Sequence, residues 1–383
     1  MNMLRLREYR SAEEARKDLA SFRLPNLPLP LLLHGTVLMA EGSVSELGEL
    51  SREAKELDGK VYAGRRGERD ALLMILPHID TASLPREGGP MLARCIDLYR
   101  NDVCVDIPLP RGRLRADRTL VMGILNVTPD SFSDGRPLDT DAAFARAERM
   151  ISEGADMIDV GGESTRPGWR PVSVEEEISR VVPVIREIAA SFDVPISIDT
   201  MKPEVARAAM EAGASIINDV NGLRNEGMMP AVKETGAAAV IMHMRGTPSN
   251  MHAEVGASAY GDVVADVMWY LNGRINAAEE AGIEREKLII DPGLGFGKTF
   301  EHNIELLRRC REMRCLGAPV LIGASRKRFI GHLTGAEPER RLGGSVGAAI
   351  MAAESGASIV RVHDVEATVQ ALRVVNAVLD HST

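Results

Sequence analysis

Eight short apolar runs between residues 120 and 363 each end abruptly in a polar, charged or small residue. In chain order they read LVMGIL, MIDVGG, PISID, SIIND, AAVIMH, LIID, VLIGAS and SIVRVHD. Stretches with helical periodicity, such as DAAFARAERMISEGA and KPEVARAAMEAGA, separate most of these runs. Eight alternations of strand and helix in about 260 residues predict an α/β fold of the (β/α)8 TIM-barrel type. In that fold the chemistry is expected at the carboxyl ends of the strands.

The residues before the barrel predict a smaller α/β unit. Residues 1–22 are amphipathic and heavily charged, which predicts a surface helix. Candidate strands follow in LLLHGTVLMA, KVYAG and ALLMILP, and candidate helices in SVSELGELSREAKELDG and GGPMLARCIDLYRN. The alternating stretch 103–118 predicts a β-hairpin that plugs the bottom of the barrel. We therefore expect a small α/β extension at 1–102, without a cluster of catalytic residue types, and a barrel domain at 103–383.

Composition and charge narrow the classes of partner. The 45% hydrophobic and 26% charged residues are typical of a globular protein in water. A net charge of −9 argues against nucleic acid as the main partner, although it permits a phosphorylated small molecule. The four cysteines form no CxxC pair, which favours reduced thiols. With no signal peptide and no membrane-spanning run, the sequence predicts a cytoplasmic protein.

The first two predicted strands end in loops that are rich in polar groups. Asn126 stands at the first strand end, within GILNVTPDSFSDG, where its oxygen suits a hard cation such as Mg²⁺. A turn-capping asparagine is an equally good interpretation of that residue taken alone. The second loop, in GADMIDVGGESTRPG, supplies Asp159, Glu163, Ser164, Thr165 and Arg166. Because the guanidinium of Arg166 can pair with a carboxylate or a phosphate, this loop is a candidate binding loop.

The middle strands supply carboxylates and an amide. Asp199 and Asn218 follow neighbouring strands, and we expect both side chains to point toward the barrel axis. Asp291 begins DPGLGFGK, in which Gly293, Gly295 and Gly297 give a flat floor and Phe296 is available for stacking. A pair of carboxylates with an asparagine suits an aromatic heterocycle that presents several N–H donors and an acceptor.

The last two strands supply cations. Ser325, Arg326, Lys327 and Arg328 follow strand seven, while Arg361 and His363 follow strand eight. Barrels commonly hold phosphate groups at this position. Any one of these cations could instead pair with a surface acid, but as a group they predict an anion site.

These strand-end motifs resemble those of dihydropteroate synthase, the folate-pathway enzyme that joins a dihydropterin to 4-aminobenzoate. The resemblance covers residues 119–376, through GILNVTPDSFSDG, IDVGGESTRPG, ISIDT, INDVNG, MHMRGTP, IIDPGLGFGK, GASRKRFIG and RVHDV. It implies a pterin-binding TIM barrel that acts as a transferase of alkyl or aryl groups. It also implies a homodimer that requires Mg²⁺, uses dihydropterin-methyl diphosphate, and is open to competition by sulfonamides.

The resemblance also assigns roles residue by residue. Asn126 would bind Mg²⁺ and face the diphosphate, and Thr165 and Arg166 would belong to a mobile second loop. Asp199, Asn218, Asp291 and Lys327 would recognise the pterin. Arg361 and His363 would hold the leaving diphosphate. Phe132 and Pro167 would wall the aminobenzoate pocket beside Ser325 and Lys327, so that the expected catalytic set is Asn126, Asp199, Lys327, Arg361 and His363.

Two departures and two competing functions accompany this assignment. Arg328 stands where relatives often have serine, and Arg245 replaces a glutamine that is common in the family. A pterin-dependent methyltransferase on a related barrel would share Asp199, Asn218 and Asp291, but it has no use for the anion-binding groups. A catalytically idle pterin-binding scaffold would not need the complete set of polar strand ends.

Overall fold

The structure is a computed structural model that describes residues 3–7, 9, 36–66, 68–76, 91–100, 104–128, 140–163, 171–247, 251, 256 and 259–379. The chain divides into two compact units. The N-terminal unit comprises Met1–Asn101, Tyr260–Asn272 and Arg311–Gly317. The barrel unit comprises Asp102–Ala259, Gly273–Cys310 and Ala318–Thr383. The predicted second loop, from Ser164 to Pro167, and Phe132 lie outside the described residues.

The N-terminal unit contains an antiparallel sheet of four strands in the order β1-β2-β4-β3. Its elements are β1 (Met3–Arg7), β2 (Thr36–Gly42), α1 (Val44–Glu56), β3 (Lys60–Arg66), β4 (Arg69–Leu76) and α2 (Met91–Arg100). Alternate residues of the strands, including Leu6, Leu38 and Met74, form one apolar core with Leu50 of α1 and Leu92 of α2. The small α/β unit that the sequence predicted is therefore present.

The predicted surface helix at 1–22 is wrong where the structure describes it, because Met3–Arg7 is a buried strand. MLRLR alternates apolar and charged residues with the period of a strand. Leu6 enters the apolar core, while Arg5 is buried on the other face and donates to Glu312 at 3.1 Å. Charged residues suggested a solvated helix face, but these arginines have carboxylate partners far along the chain. Residues 10–22 lie outside the described part of the chain.

The barrel unit begins with a hairpin and continues as an eight-stranded parallel sheet. The hairpin pairs β5 (Val105–Pro108) with β6 (Arg113–Ala116). The parallel strands are β7 (Leu120–Asn126), β8 (Met157–Gly161), β9 (Ile196–Asp199), β10 (Ile216–Asp219), β11 (Ala238–Met242), β12 (Leu288–Asp291), β13 (Leu321–Ile322) and β14 (Ile359–Val362). Val105, Ile107 and Leu114 of the hairpin cluster with residues of the strand interiors, such as Met122 and Ile289.

The strand order β12-β11-β10-β9-β8-β7-β14-β13 follows the chain, and a parallel bridge between Ile290 and Val320 joins its two ends. The sheet is therefore a TIM barrel, as predicted, although β13 has only two residues. The helices of this unit are α3 (Thr140–Ser152), α4 (Val174–Ser191), α5 (Pro203–Ala212), α6 (Met228–Thr235), α7 (Val263–Glu280, shared with the N-terminal unit), α8 (Phe300–Arg308), α9 (Arg328–Thr334), α10 (Leu342–Glu354) and α11 (Val365–Leu379). Among the described residues, no helix combines the length and apolar character that crossing a membrane requires.

Candidate active site

The carboxyl ends of adjacent strands bring the predicted polar side chains together. Asp199 of β9 is the register partner of Asn218 on β10 and of Gly161 on β8. In a parallel sheet such partners stand side by side, so both polar groups lie at the same end of the barrel. An ideal Cβ placed on Gly161 would lie 3.6 Å from the Asn126 Oδ1 and 3.9 Å from the Asp199 Oδ2. The absence of a side chain at Gly161 therefore leaves open space between these two groups.

Arg361 of β14 crosses the barrel mouth to two carboxylates. Its Nε donates to the Asp159 Oδ2 at 2.6 Å, and its Nη2 donates to the Asp199 Oδ2 at 2.7 Å. The Asn218 amide donates to the same Asp159 oxygen at 3.2 Å. Asp159 is fully buried, and among the described residues its Oδ1 has no hydrogen-bond partner. Arg361 and Asn218 thus both donate to the other oxygen of this buried carboxylate.

Burial and charge shift the pKa values in this network. Burial raises the pKa of Asp199 to about 7, although the nearby Arg361 cation acts in the opposite direction. Burial alone would lower the pKa of Arg361, but Asp159 and Asp199 outweigh it and raise that pKa. The guanidinium therefore stays charged, while Asp199 titrates near neutral pH.

A second group lies at the end of β12. The Asp291 Oδ1 accepts from the Gly293 N–H at 2.7 Å, and burial raises the pKa of Asp291 while Lys327 opposes that shift. Burial lowers the pKa of Lys327 to about 8, against the attraction of Asp291. The Lys327 ammonium donates to the Leu294 carbonyl oxygen and lies 4.9 Å from the centre of the Phe296 ring. A cation and an aromatic face thus stand beside the buried carboxylate.

The glycines of DPGLGFGK are required by close backbone approach. Gly293 has φ 67°, and a Cβ on it would lie 2.0 Å from the His243 carbonyl oxygen. Gly297 has φ 63°, and a Cβ there would lie 2.6 Å from the Arg245 carbonyl oxygen. Any side chain would therefore push this loop away from the loop after β11. The floor inferred from the sequence is a backbone surface held against a neighbouring loop.

The loops after β13 and β14 meet through Ser325 and His363. The His363 N–H donates to the Ser325 Oγ at 3.2 Å, and the His363 Nδ1 lies 3.0 Å from the same oxygen. Arg326, which the sequence grouped with the anion-binding cations, instead pairs with Asp364. Of the expected cations, Lys327, Arg361 and His363 thus remain at the barrel mouth, and Arg326 does not join them.

Asn126 fits the role of a magnesium ligand. Its side chain is partly exposed at the end of β7 and makes no hydrogen bond within the described part of the chain. Mg²⁺ in phosphate-binding enzymes commonly takes one or two protein oxygens and fills its other positions with water and phosphate. One amide oxygen beside an open space is compatible with that pattern. No group of three or more His, Cys, Asp or Glu side chains able to hold a metal occurs among the described residues.

Three groups near the mouth were missed in the sequence. Asp159 was noticed but given no role, although it binds Arg361. Lys298 is buried beside His243, with 2.9 Å between its Nζ and the His243 Nδ1, and burial lowers the pKa of both groups. An apolar cluster next to the site contains Val220, Met242, Met244 and Met251, with Met201 and Phe296 against it. Methionines at strand ends were the only sequence signal for this cluster.

The base of the second loop is anchored from two sides. Lys202, three residues after Asp199, donates to Glu163 and, at 2.5 Å, to Glu177 of α4. Arg180 of α4 donates to the Gly162 carbonyl oxygen at 2.7 Å. Burial raises the pKa of Glu163, and Lys202 opposes that shift. The last described residues before Thr165 and Arg166 are therefore fixed to α4 and to the loop after β9.

Comparison with known proteins agrees with this geometry. A family model for pterin binding enzymes matches residues 122–363. The dihydropteroate synthase of Escherichia coli strain K12 is 52% identical over 260 residues, which cover 68% of this chain and 91% of that protein. The chain belongs to the dihydropteroate synthase family. The Synechocystis member is 44% identical over 276 residues, or 70% of this chain and 94% of that protein.

Solved structures of the family share the fold. Xanthomonas albilineans dihydropteroate synthase with 4-aminobenzoic acid is 50% identical with a TM-score of 0.68, covering 73% of this chain and 99% of that one. The Yersinia pestis enzyme in a sulfonamide drug complex is 44% identical with a TM-score of 0.68, covering 72% and 98%. The expected class, an enzyme that transfers alkyl or aryl groups, is confirmed, and the methyltransferase alternative is not favoured.

Proposed function

We propose that this chain joins (7,8-dihydropterin-6-yl)methyl diphosphate to 4-aminobenzoate, giving 7,8-dihydropteroate and diphosphate. The observation that carries the proposal is the polar floor formed by Asp199, Asn218 and Asp291 at three strand ends. Their oxygens can accept the ring and amino N–H groups of a pterin, and the Asn218 amide or the Lys327 ammonium can donate to its acceptors. A related Xanthomonas albilineans structure, 49% identical, contains 7,8-dihydropteroate, which supports this choice of ligand.

Groups at the ends of β13 and β14 are proposed to receive the diphosphate. His363 and Ser325 lie together there. Arg361 uses its Nε and Nη2 to bind the two carboxylates, so its Nη1 takes part in neither of these bonds. Asn126 would hold Mg²⁺, which supplies positive charge that offsets the charge of the diphosphate. The expected anion site thus consists of Arg361, His363 and Ser325, with Asn126 at the end of β7, the strand that pairs with β14.

The proposed reaction is a dissociative substitution at the methylene carbon. The C–O bond breaks with its electron pair remaining on the diphosphate, and the pterin ring delocalises the positive charge that is left. Asp199 and Asp291 stabilise that charge electrostatically. The neutral aromatic amine then forms the C–N bond and loses a proton, so it needs little help from a general base. We assign the exclusion of water to the loops at 127–136 and 163–170.

The aminobenzoate is proposed to bind beside Lys327, Ser325 and the ring of Phe296. Thr165, Arg166, Phe132 and Pro167 complete this pocket in the proposal, which for these four rests on their motifs because they lie outside the described residues. Sulfonamides share the aniline nitrogen and the size of 4-aminobenzoate, so we expect competitive inhibition against it. The sulfonamide complex of the Yersinia pestis relative supports that expectation.

The deciding experiment measures diphosphate release with and without 4-aminobenzoate. Release that depends on both substrates is expected, whereas a methyltransferase or an idle pterin-binding protein would release none. Asp199→Asn should lower kcat/KM by about 100-fold, since it removes a charge that faces the bound pterin. Asp193→Asn, an exposed change just before β9, is the matched control and should behave as the wild type. Equal activity in both variants would contradict the assignment of Asp199.

We also propose that the protein is a homodimer that buries α10 and α11. Leu342 and Met351 on α10 are exposed by 46% and 51%, and Val374 and Val378 on α11 by 65% and 70%. Exposed apolar residues on two adjacent helices are typical of a protein interface. Light scattering should give a dimer mass for the wild type and a monomer for Met351→Glu/Val374→Glu. A wild-type monomer at micromolar concentration would contradict the proposal.

A further inference from the structure

Arg326 has an unusual backbone conformation in the middle of the site. Its φ is 59°, a left-handed value shared in the described part of the chain by only two other non-glycine residues, Asp58 and Leu223. A long side chain is unfavourable in this conformation, which persists only where the surroundings hold it. Because Arg326 stands between Ser325 and Lys327, the turn sets the directions in which these two site residues leave the strand.

Both backbone polar groups of Arg326 are held by the start of α10. Its N–H donates to the Ser345 Oγ at 2.9 Å, and its carbonyl oxygen accepts from the Arg341 Nη1 at 2.8 Å. The Ser345 hydroxyl in turn donates to the Arg341 carbonyl oxygen at 2.7 Å. The left-handed turn is therefore fixed by side chains that belong to a separate helix.

The side chain of Arg326 is held as well, by Asp364. Its guanidinium forms a bidentate salt bridge with Asp364, in which Nε lies 3.1 Å from Oδ2 and Nη2 contacts Oδ1. Asp364 directly follows His363, and its carbonyl oxygen accepts from the Thr368 hydroxyl in the first turn of α11 at 2.8 Å. The pair therefore links the loop after β13 to the loop after β14.

The two neighbours of Arg326 face the two strands that flank β13. The Ser325 Oγ meets the N–H and ring of His363, on the β14 side. The Lys327 ammonium reaches the Leu294 carbonyl oxygen, on the β12 side, where Asp291 lies. An anion-binding side and a pterin-binding side of the site thus diverge at the single turn that Arg326 makes.

We propose, building on the proposed function, that Arg326 is a positioning residue that acts through Asp364. The pair holds His363 and Ser325 in the arrangement that receives the diphosphate, while the left-handed turn directs Lys327 to the pterin. Arg326 itself touches no substrate. This role differs from that proposed for Lys327 in the same loop, which contacts ligands directly.

The test is a double-variant cycle with Arg326→Gly and Asp364→Asn, read by titration with inorganic diphosphate and by turnover. Glycine keeps the left-handed turn without strain and removes only the pair. Each single variant should weaken diphosphate binding and lower kcat by about 10-fold. The double variant should lose no more affinity or kcat than the more impaired single variant, because both changes remove the same pair. Affinity for a dihydropterin without the diphosphate should stay within about twofold of the wild type, since Asp199, Asn218 and Asp291 are untouched.

The matched control is the salt bridge between Arg118 and Asp156, in which Nη2 lies 2.6 Å from Oδ1 and Nη1 lies 2.9 Å from Oδ2. These residues stand just before β7 and β8, at the opposite end of the barrel. Arg118→Gly and Asp156→Asn should leave diphosphate affinity unchanged.

If Arg326 contacts the diphosphate directly, Asp364→Asn frees its guanidinium and diphosphate binding is unchanged or tighter, which overturns the inference. Asp364→Asn leaves the turn untouched, so it decides the matter even if Arg326→Gly fails to fold. The diphosphate titration needs no turnover, so a wild type without synthase activity would refute the proposed function alone.

Discussion

Burial brings the pKa values of Asp199 and Lys327 close to neutral, to about 7 and about 8. Protonation removes the charge of Asp199 and turns one of its acceptor oxygens into an O–H donor, so lowering the pH through its pKa of about 7 should reduce pterin binding. Lys327 donates only when protonated, so raising the pH through its pKa of about 8 should do the same. We therefore expect a bell-shaped dependence of kcat/KM on pH, with limbs near these two values.

The test of this profile is Lys327→Arg. A guanidinium stays protonated throughout the assay range, so the alkaline limb should move to higher pH while the acid limb stays in place. Stopped assays between about pH 5.5 and 10 would record both limbs. An active Lys327→Arg enzyme with an unchanged alkaline limb would show that another group titrates there.

Asp159 carries a second prediction at the residue scale. It is buried, and Arg361 depends on it for one of its two carboxylate bonds. Asp159→Asn removes the buried counter-charge of the Arg361 guanidinium, which should cost about 3 kcal/mol of folding free energy. Asp156→Asn, in a pair whose arginine is 49% exposed, should cost less than about 1 kcal/mol. Urea unfolding that ranks the two variants equally would contradict this view of the network.

At the scale of elements, the loop after β8 depends on Lys202. This cation stands between Glu163 and the buried Glu177, so Lys202→Met brings two carboxylates together without a counter-charge. Because Thr165 and Arg166 stand only two and three residues after Glu163 in the sequence, we expect KM for 4-aminobenzoate to rise by about 10-fold or more, with a smaller change for the pterin substrate.

The control for that prediction is Lys287→Met, which removes a contact to the exposed Glu284. This variant should keep both KM values of the wild type. A uniform fall in kcat for Lys202→Met, with both KM values unchanged, would mean that the cluster does not act through the loop.

At the scale of the whole molecule, the N-terminal unit is held by a buried ion network. Arg5 is fully buried and contacts Glu312 at 3.1 Å and Asp262 at 3.0 Å, while Glu41 accepts from Arg66 at 2.7 Å. Arg5→Met leaves excess negative charge buried, which should destabilise this unit by about 3 kcal/mol. Amide hydrogen exchange of β1 and β2 should quicken, whereas Arg65→Met, on the exposed edge strand, should leave it unchanged. Equal exchange in the two variants would refute the role of the network.

We further propose that the domain boundary lies at 102/103 and that residues 103–383 contain the whole site. All described site residues belong to the barrel unit. A chain starting at residue 101 should therefore retain turnover. It should also be less stable, since Tyr260–Asn272 and Arg311–Gly317 lose the sheet with which they form one unit. A folded but inactive chain would mean that the extension contributes to the site.

The sequence alone was sufficient for the barrel and for the position of its chemistry. Each βα repeat is a local pattern, and parallel strands with short connections place their carboxyl ends on one face. Asn126, Asp199, Asn218, Asp291, Lys327 and Arg361 could therefore be placed at the mouth from their strand-end positions. The sequence indicated a flat floor at Gly293 and Gly297, but only the structure shows that these glycines lie against carbonyl oxygens of the loop after β11.

Tertiary structure alone decided which charged groups pair. Arg361 binds Asp159 across 202 residues of sequence, and Arg5 binds Glu312 across 307. No local periodicity reports such contacts, so Met3–Arg7 resembled a solvated helix and Arg326 resembled a ligand for anions. The pKa values near neutral at Asp199 and Lys327 have the same origin, since burial and neighbouring charge exist only after the chain has folded. The sequence thus determines at which strand ends the polar groups lie, and the folded structure determines which of them pair with one another.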